Sequence, residues 1–404
     1  MNFFDARVAP SNQKHGYSLH IEQYRGLCAL LVLAAHAFGD ESLLLTGFKW
    51  PVVMHYFSAG NLSVLVFFCI SGYVIGLTND RKNLNIKEYL KKRAIRLYPI
   101  YLFAILLCII AVGSCGMYTL LGNILFLQNG QPYFHFLVPI FANYPAWSLN
   151  YEVLYYLVFI LVFALKPKLW ALLLILLALS IILLHAGNLL FLSSYINGYY
   201  FWIMGLIIAW NVFKTGEPQY RKISLLSILF LHLCMHHLVI GEIILRAAGI
   251  HTPTNLNLLF DLPFCLMVMS TLTARHSAFL KYNKILAYSL PAFVFIYLIL
   301  HHRITEDLRW IMCLIFWILS LAFYFEKKIS AFLLERLTGV GRISYALYLL
   351  HVPVALLIRK TVFISNIPEQ IIVKYSLWLS ITFTLSYLLE RKAQPVIKKY
   401  LVAA

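Results

Sequence analysis

RGLCALLVLAAH, Arg25 to His36, places an arginine at the mouth of an apolar helix and a histidine deep inside it. The eleven steps between them, at about 100° each, come to roughly three whole turns, so both side chains lie on one face. At about 1.5 Å per residue the histidine sits on the order of 16 Å further along the axis. If Arg25 marks one interface of a hydrocarbon core about 30 Å thick, His36 lies near the midplane. A titratable ring at that depth is either bonded into the packing of neighbouring helices or marks a functional site, and the stretch alone does not choose.

The composition around it sets the class. Of 404 residues, 61% are hydrophobic and 12% charged, with mean hydropathy +0.79. Soluble domains do not look like this, and the chain reads as a polytopic membrane protein. Twelve apolar runs approach spanning length, near 26–45, 61–78, 98–114, 147–165, 169–185, 196–213, 223–241, 258–273, 285–301, 310–325, 343–360 and 371–389. The expectation is therefore an all-α membrane helix bundle of about 10–12 transmembrane helices. Of the 33 Lys and Arg residues, 26 fall on the segments of one side and seven on the other, which predicts both termini on the cytoplasmic side. The net charge of +17 is then an orientation signal with an anionic-lipid component and calls for no nucleic acid. Six of the seven cysteines sit in apolar segments and Cys115 at a segment end, without metal-ligand spacing, and they read as reduced packing residues. The polar first residues, MNFFDARVAPSNQKHGYSLHIEQY, do not read as a removable signal peptide.

Polar residues can then be placed in depth. In NLSVLVFFCISGYVIGL, Ser71 and Gly72 are expected level with His36, the glycine allowing close helix approach and the serine offering a hydroxyl to a substrate or to the histidine. The most basic stretch, NDRKNLNIKEYLKKRAIRLYPIY, crowds Lys92, Arg93 and Arg96 at the start of the third span. Arg81, Lys82 and Lys87 read as headgroup anchors. Arg93 and Arg96, three apart on one face, are open to two readings: anchoring, or a preformed pocket for phosphate groups. In PAWSLNYEVLYYLVF, Glu152 falls in the outer third of the fourth span, where a carboxylate is costly unless paired or used, and Trp147 suits an interfacial belt. GRISYALYLLHVPV carries Ser344, Tyr345, Tyr348 and His351, and His351 reads as a packed histidine. Glu242, His301, His302 and Glu306 read as solvated at helix ends.

Taken in order, the Arg25 and His36 pair, FFCISGYVIG, KKRAIRLYP, WSLNYEVLYY and GRISYALYLLHVPV resemble the acyltransferase-3 family of integral membrane acyltransferases over nearly the whole chain. The resemblance implies a cytoplasmic N-terminal arm at 1–24, a transmembrane acyltransferase domain at 25–390 and a short basic tail at 391–404, in a bacterial inner membrane. It implies acetyl-CoA or a related acyl-CoA as donor, no metal, and a carbohydrate hydroxyl as acceptor, in a surface polysaccharide or its lipid-linked precursor. The family's essential arginine and histidine carry over to Arg25 and His36, its basic pair to Arg93 and Arg96, and its WSLxxE glutamate to Glu152. Lys92 joins the donor site, and Ser71, Tyr73 and Trp147 are assigned to the substrate.

Elementary chemistry points the same way. Acyl transfer from a thioester to a hydroxyl needs a base within reach of the acceptor, and His36 is the best placed. Arg93 and Arg96 would hold nucleotide phosphates about half a membrane away. The rival class is a proton-coupled transporter or flippase using the same His and Glu as a relay.

Overall fold

The computed structural model describes residues 19–39, 42–79, 83–128, 138–183, 190–212, 224–250, 255–273, 278–362 and 366–403. Arg81, Lys82 and the loop residue Asn129 lie outside them. Each apolar run expected from the sequence is met by a helix, and we label these in chain order: α1 (Leu19–Ala37), α2 (Gly60–Thr78), α3 (Ile86–Val112), α4 (Trp147–Leu165), α5 (Leu169–Ile182), α6 (Leu190–Val212), α7 (Leu225–Leu238), α8 (Leu262–Leu272), α9 (Ala278–Leu300), α10 (Leu308–Ala322), α11 (Ser344–Thr361) and α12 (Ile367–Tyr387). Among the described residues, α2, α3, α4, α6, α7, α9 and α12 with their flanking turns are long and apolar enough to cross a bilayer. The helix Lys328–Gly341 and α11 form an eighth such unit, bent by 70°. In hydrocarbon a segment must satisfy its own backbone, which is why the apolar runs resolve as helices.

Helix ends follow local chemistry. Asn85 opens α3 by accepting a bond from the Glu88 amide at 3.1 Å, and Asp307 does the same for α10 through the Arg309 amide at 2.8 Å. The first span ends earlier than expected. It stops at Ala37, one residue after His36, because Gly39 and the acidic pair that follows interrupt the apolar run, and the chain turns back with Leu43, Leu44 and Leu45 buried. The described residues are already helical at Leu19, and beyond residue 390 the chain runs through a π-helical turn (Leu388–Ala393) into Gln394–Ala403. Ile21, Glu22 and Tyr24 are buried, so these residues belong to the bundle.

Two close crossings hold the centre. A Cβ on Gly72 of α2 would collide with the Trp202 carbonyl of α6, and one on Gly205 of α6 with the Cys69 carbonyl of α2. Near the foot of α1, a Cβ on Gly26 would lie 2.6 Å from the Leu337 carbonyl, and one on Gly341 would strike the Glu22 carbonyl. Backbones meeting this closely are the usual source of packing energy between membrane helices.

These crossings fix depth. The Cβ position of Gly60, at the start of α2, lies 3.3 Å from the Ala35 methyl of α1. Eleven residues further along α2, about 16 Å, Ser71 comes level with the Arg25 end of α1. The sequence placed Ser71 level with His36; the early stop of α1 is what shifts it.

Candidate active site

At the foot of the stripe, α2, α4 and α6 converge on one carboxylate. Ser71 Oγ donates to Glu152 Oε1 at 3.0 Å, the Tyr156 hydroxyl donates to the same oxygen, and Trp202 Nε1 donates to Ser71 Oγ at 3.3 Å. Glu152 is the sixth of the nineteen residues of α4, within its first third, and its bond to Ser71 sets it toward the Arg25 end. The cost of a carboxylate at this depth is offset by these donors. Tyr156 links this group to α3, since the Arg93 guanidinium carbon stands 5.7 Å from its ring centre and 5.6 Å from that of Tyr89. Arg93 Nε is buried without a hydrogen-bond partner among the described residues.

The neighbouring basic residues are held by other partners. Arg96 Nη1 lies 2.8 Å from Glu390 Oε2, the Glu390 side chain being 2% exposed. Glu390 Oε1 also accepts from the Ala346 amide at 3.2 Å, and the Arg96 guanidinium carbon stands 4.6 Å from the Tyr345 ring centre. Arg96 is therefore part of a buried ion pair joining α3, α11 and the turn after α12. Lys92 pairs at the surface with Glu88 at 2.6 Å. Arg25 is half-buried, Tyr73 lies wholly within the core, and Trp147 packs edge-on to Tyr151 with ring centres 5.2 Å apart.

At the head of the stripe the partners are rings. His36 stacks on His351 of α11, centroids 5.1 Å apart and planes 12° apart, and meets Tyr144 edge-on at 4.8 Å. His351 Nδ1 is 3.2 Å from the Leu347 carbonyl, so Nδ1 carries the hydrogen and Nε2 the lone pair in the neutral ring. Trp378 Nε1 donates to the His351 carbonyl at 2.7 Å. Both His36 Nε2 and His351 Nε2 are buried without a hydrogen-bond partner among the described residues. Asn143 Nδ2, bonded to the Leu349 carbonyl at 3.0 Å, ties the turn before α4 to α11 and so places Tyr144.

Between head and foot the lining is small or apolar on α1 and carries two hydroxyls opposite. Ala29 and Val32, on the face that carries Arg25 and His36, are buried, and across from them Tyr348 reaches Ser148 Oγ at 2.8 Å and the Pro145 carbonyl at 2.5 Å.

His351 is packed, as the sequence suggested, but its ring lies against His36. The signal was present: Tyr345, Tyr348 and His351 recur every third residue, which puts them on one face of α11, as Arg25 and His36 share one face of α1. Tyr156 and Glu390 carried no such signal, because their roles depend on partners distant in sequence.

The fold and this buried titratable stripe define an integral, multi-pass membrane protein. Residues 19–302 match the model of the acyltransferase domain of the acyltransferase-3 family, and the chain belongs to that family. Over 113 residues, 26% of this chain and 35% of the relative, it is 29% identical to the exopolysaccharide production protein ExoZ of Rhizobium meliloti. Over 158 residues, 36% of this chain and 38% of the relative, it is 27% identical to the acyltransferase MdmB of Streptomyces mycarofaciens. The chain thus matches little more than a third of the length of these curated relatives. No solved structure matches.

Proposed function

We propose that this protein is a membrane-embedded O-acyltransferase that moves an acyl group, acetyl in the first instance, from acyl-CoA to a hydroxyl of a carbohydrate acceptor such as a surface polysaccharide or its lipid-linked precursor. The family supports acyl transfer, and the exopolysaccharide connection in the name of one relative supports the acceptor class. The carrying observation is the buried His36 Nε2, held by stacking and free to accept a proton.

In the proposed step, His36 Nε2 takes the proton of the acceptor hydroxyl as its oxygen attacks the thioester carbonyl. The new C–O bond forms, the C–S bond breaks, and the CoA thiolate leaves and takes up the proton from the imidazolium. His351 holds the His36 ring by stacking. The basic segment at the foot, with both termini on the same cytoplasmic side, takes the donor. Arg93, whose Nε has no other partner among the described residues, grips phosphate with help from Lys92, while Arg96 keeps α3 and α11 in register through Glu390. Arg25 and Glu152 orient the donor at the foot.

The test is His36→Asn, which keeps much of the volume and removes the titrating nitrogen. In purified protein we expect intact folding and acyl-CoA binding with transfer reduced by about 10²- to 10⁴-fold. Transfer within a few-fold of the parent would make His36 a structural residue.

A further inference from the structure

Away from the stripe, at the end of the bundle opposite the basic start of α3, a cavity of about 460 Å³ opens between the short helix Val52–His55, the first turns of α2, the end of α7, the turn Asn255–Asp261 and the start of α10. That volume falls in the range of small-molecule sites, and the walls are mixed: among leucine, methionine and isoleucine side chains stand His55, His237, Asn61, Asn257, Asp307 and Arg309. Tyr56 stands beside them, its ring centre 5.3 Å from that of His237.

The donor and acceptor pattern narrows the ligand. His55 Nδ1 and Asn257 Oδ1 are buried without a hydrogen-bond partner among the described residues, an arrangement a folded protein tolerates poorly unless something completes it. His237 Nε2 donates to the Ser58 carbonyl at 2.8 Å, which leaves Nδ1 of the neutral ring as an acceptor. Asp307 caps α10 and has its second oxygen 3.5 Å from Arg309 Nε. The cavity thus offers closely spaced donors and acceptors of both kinds. A hydroxyl is the ligand group that gives and takes at one atom. Asp307 and Arg309 cancel, and burial pushes the Asp261 carboxyl up to about 8, into its neutral form, so the lining offers no excess positive charge to a phosphate or carboxylate ligand.

The position matters as much as the lining. Asn61 lines the cavity, its neighbour Gly60 abuts Ala35, and His36 follows Ala35, so the cavity lies about one helix diameter, on the order of 10 Å, from the His36 ring. That is too far for the reacting hydroxyl and suits an adjoining unit of the same chain.

We propose that this cavity is an anchoring subsite of the carbohydrate acceptor: it binds an uncharged sugar unit next to the one acylated at His36. This rests on the acyl-transfer reading above.

The experiment uses the full chain in detergent on an array of uncharged, carboxylated and phosphorylated oligosaccharides. Retention of uncharged oligosaccharides is expected, with Asn61→Leu and His55→Leu each weakening it about tenfold, the scale of one good hydrogen bond. His36→Asn should leave retention unchanged. Unaltered melting and acyl-CoA binding certify each variant, and since Asn61 is exposed to the cavity its replacement carries the test if His55→Leu unfolds. No retention, a preference for charged oligosaccharides, or equal retention by the variants would overturn the subsite. Retention with the expected pattern but no transfer to any acceptor would overturn the acyl-transfer reading and leave the cavity standing as a sugar site. Transfer with an unchanged acceptor KM in Asn61→Leu would do the reverse.

Discussion

The two ends of one helical stripe are built on opposite plans. At the foot, two hydroxyls bond the Glu152 carboxylate and the Arg96 guanidinium pairs with that of Glu390, so both carboxylates have named partners. At the head, two imidazoles are fixed by stacking and by a backbone carbonyl, and each keeps an unpartnered Nε2 among the described residues. Polar bonds rigidify and position, whereas a base must keep its lone pair free. The foot is built to hold, and the head keeps the lone pairs that the proposed reaction needs.

The comparison breaks most visibly at Glu390. Replacing it with Ala leaves the Arg96 guanidinium, 17% exposed, without its carboxylate, and we expect about 3 kcal/mol or more of lost stability, read as a fall in melting temperature in detergent. The double variant Arg96→Met, Glu390→Leu should recover most of that loss, since an apolar pair can replace a buried ion pair. A double variant no better than Glu390→Ala would mean that Arg96 does more than hold α11.

Arg93 sharpens the contrast within the foot. Changing Arg93 to Gln should weaken acyl-CoA binding by about 10- to 100-fold, the range for a charged hydrogen bond, while melting changes little. Isothermal titration of the purified variant decides it, and unchanged affinity would return Arg93 to lipid anchoring.

The smallest effect is expected at the head. His351→Phe retains a ring against His36 and removes Nε2. If stacking alone is needed, transfer falls by no more than about tenfold at saturating donor and the pH profile of kcat keeps its shape, because His36 remains the titrating group. A loss as large as that of His36→Asn, or a lost limb of the pH profile, would make His351 a second proton carrier.

The bundle was legible in the sequence because hydropathy and helical period act locally: each of the twelve apolar runs became a helix, and Arg25, His36 and the close approach at Gly72 were visible as spacing. Depth was harder to read. Ser71 was displaced relative to His36 because the end of α1 is set by Gly39 and the acidic residues beside it, not by the end of hydropathy. Partner choice was hidden altogether. Nothing in KKRAIRLYP shows that Arg96 faces a carboxylate 294 residues away while Arg93 does not.

The Gly72 crossing has a consequence for how this protein can be damaged. Trp202 presents its carbonyl to Gly72 and its indole N–H to the adjacent Ser71, whose hydroxyl in turn bonds Glu152. A single methyl at residue 72 would push α6 outward, draw the indole off the serine and strip a donor from the carboxylate's shell. The position with no side chain is thus a point of mutational fragility for the charged centre two contacts away.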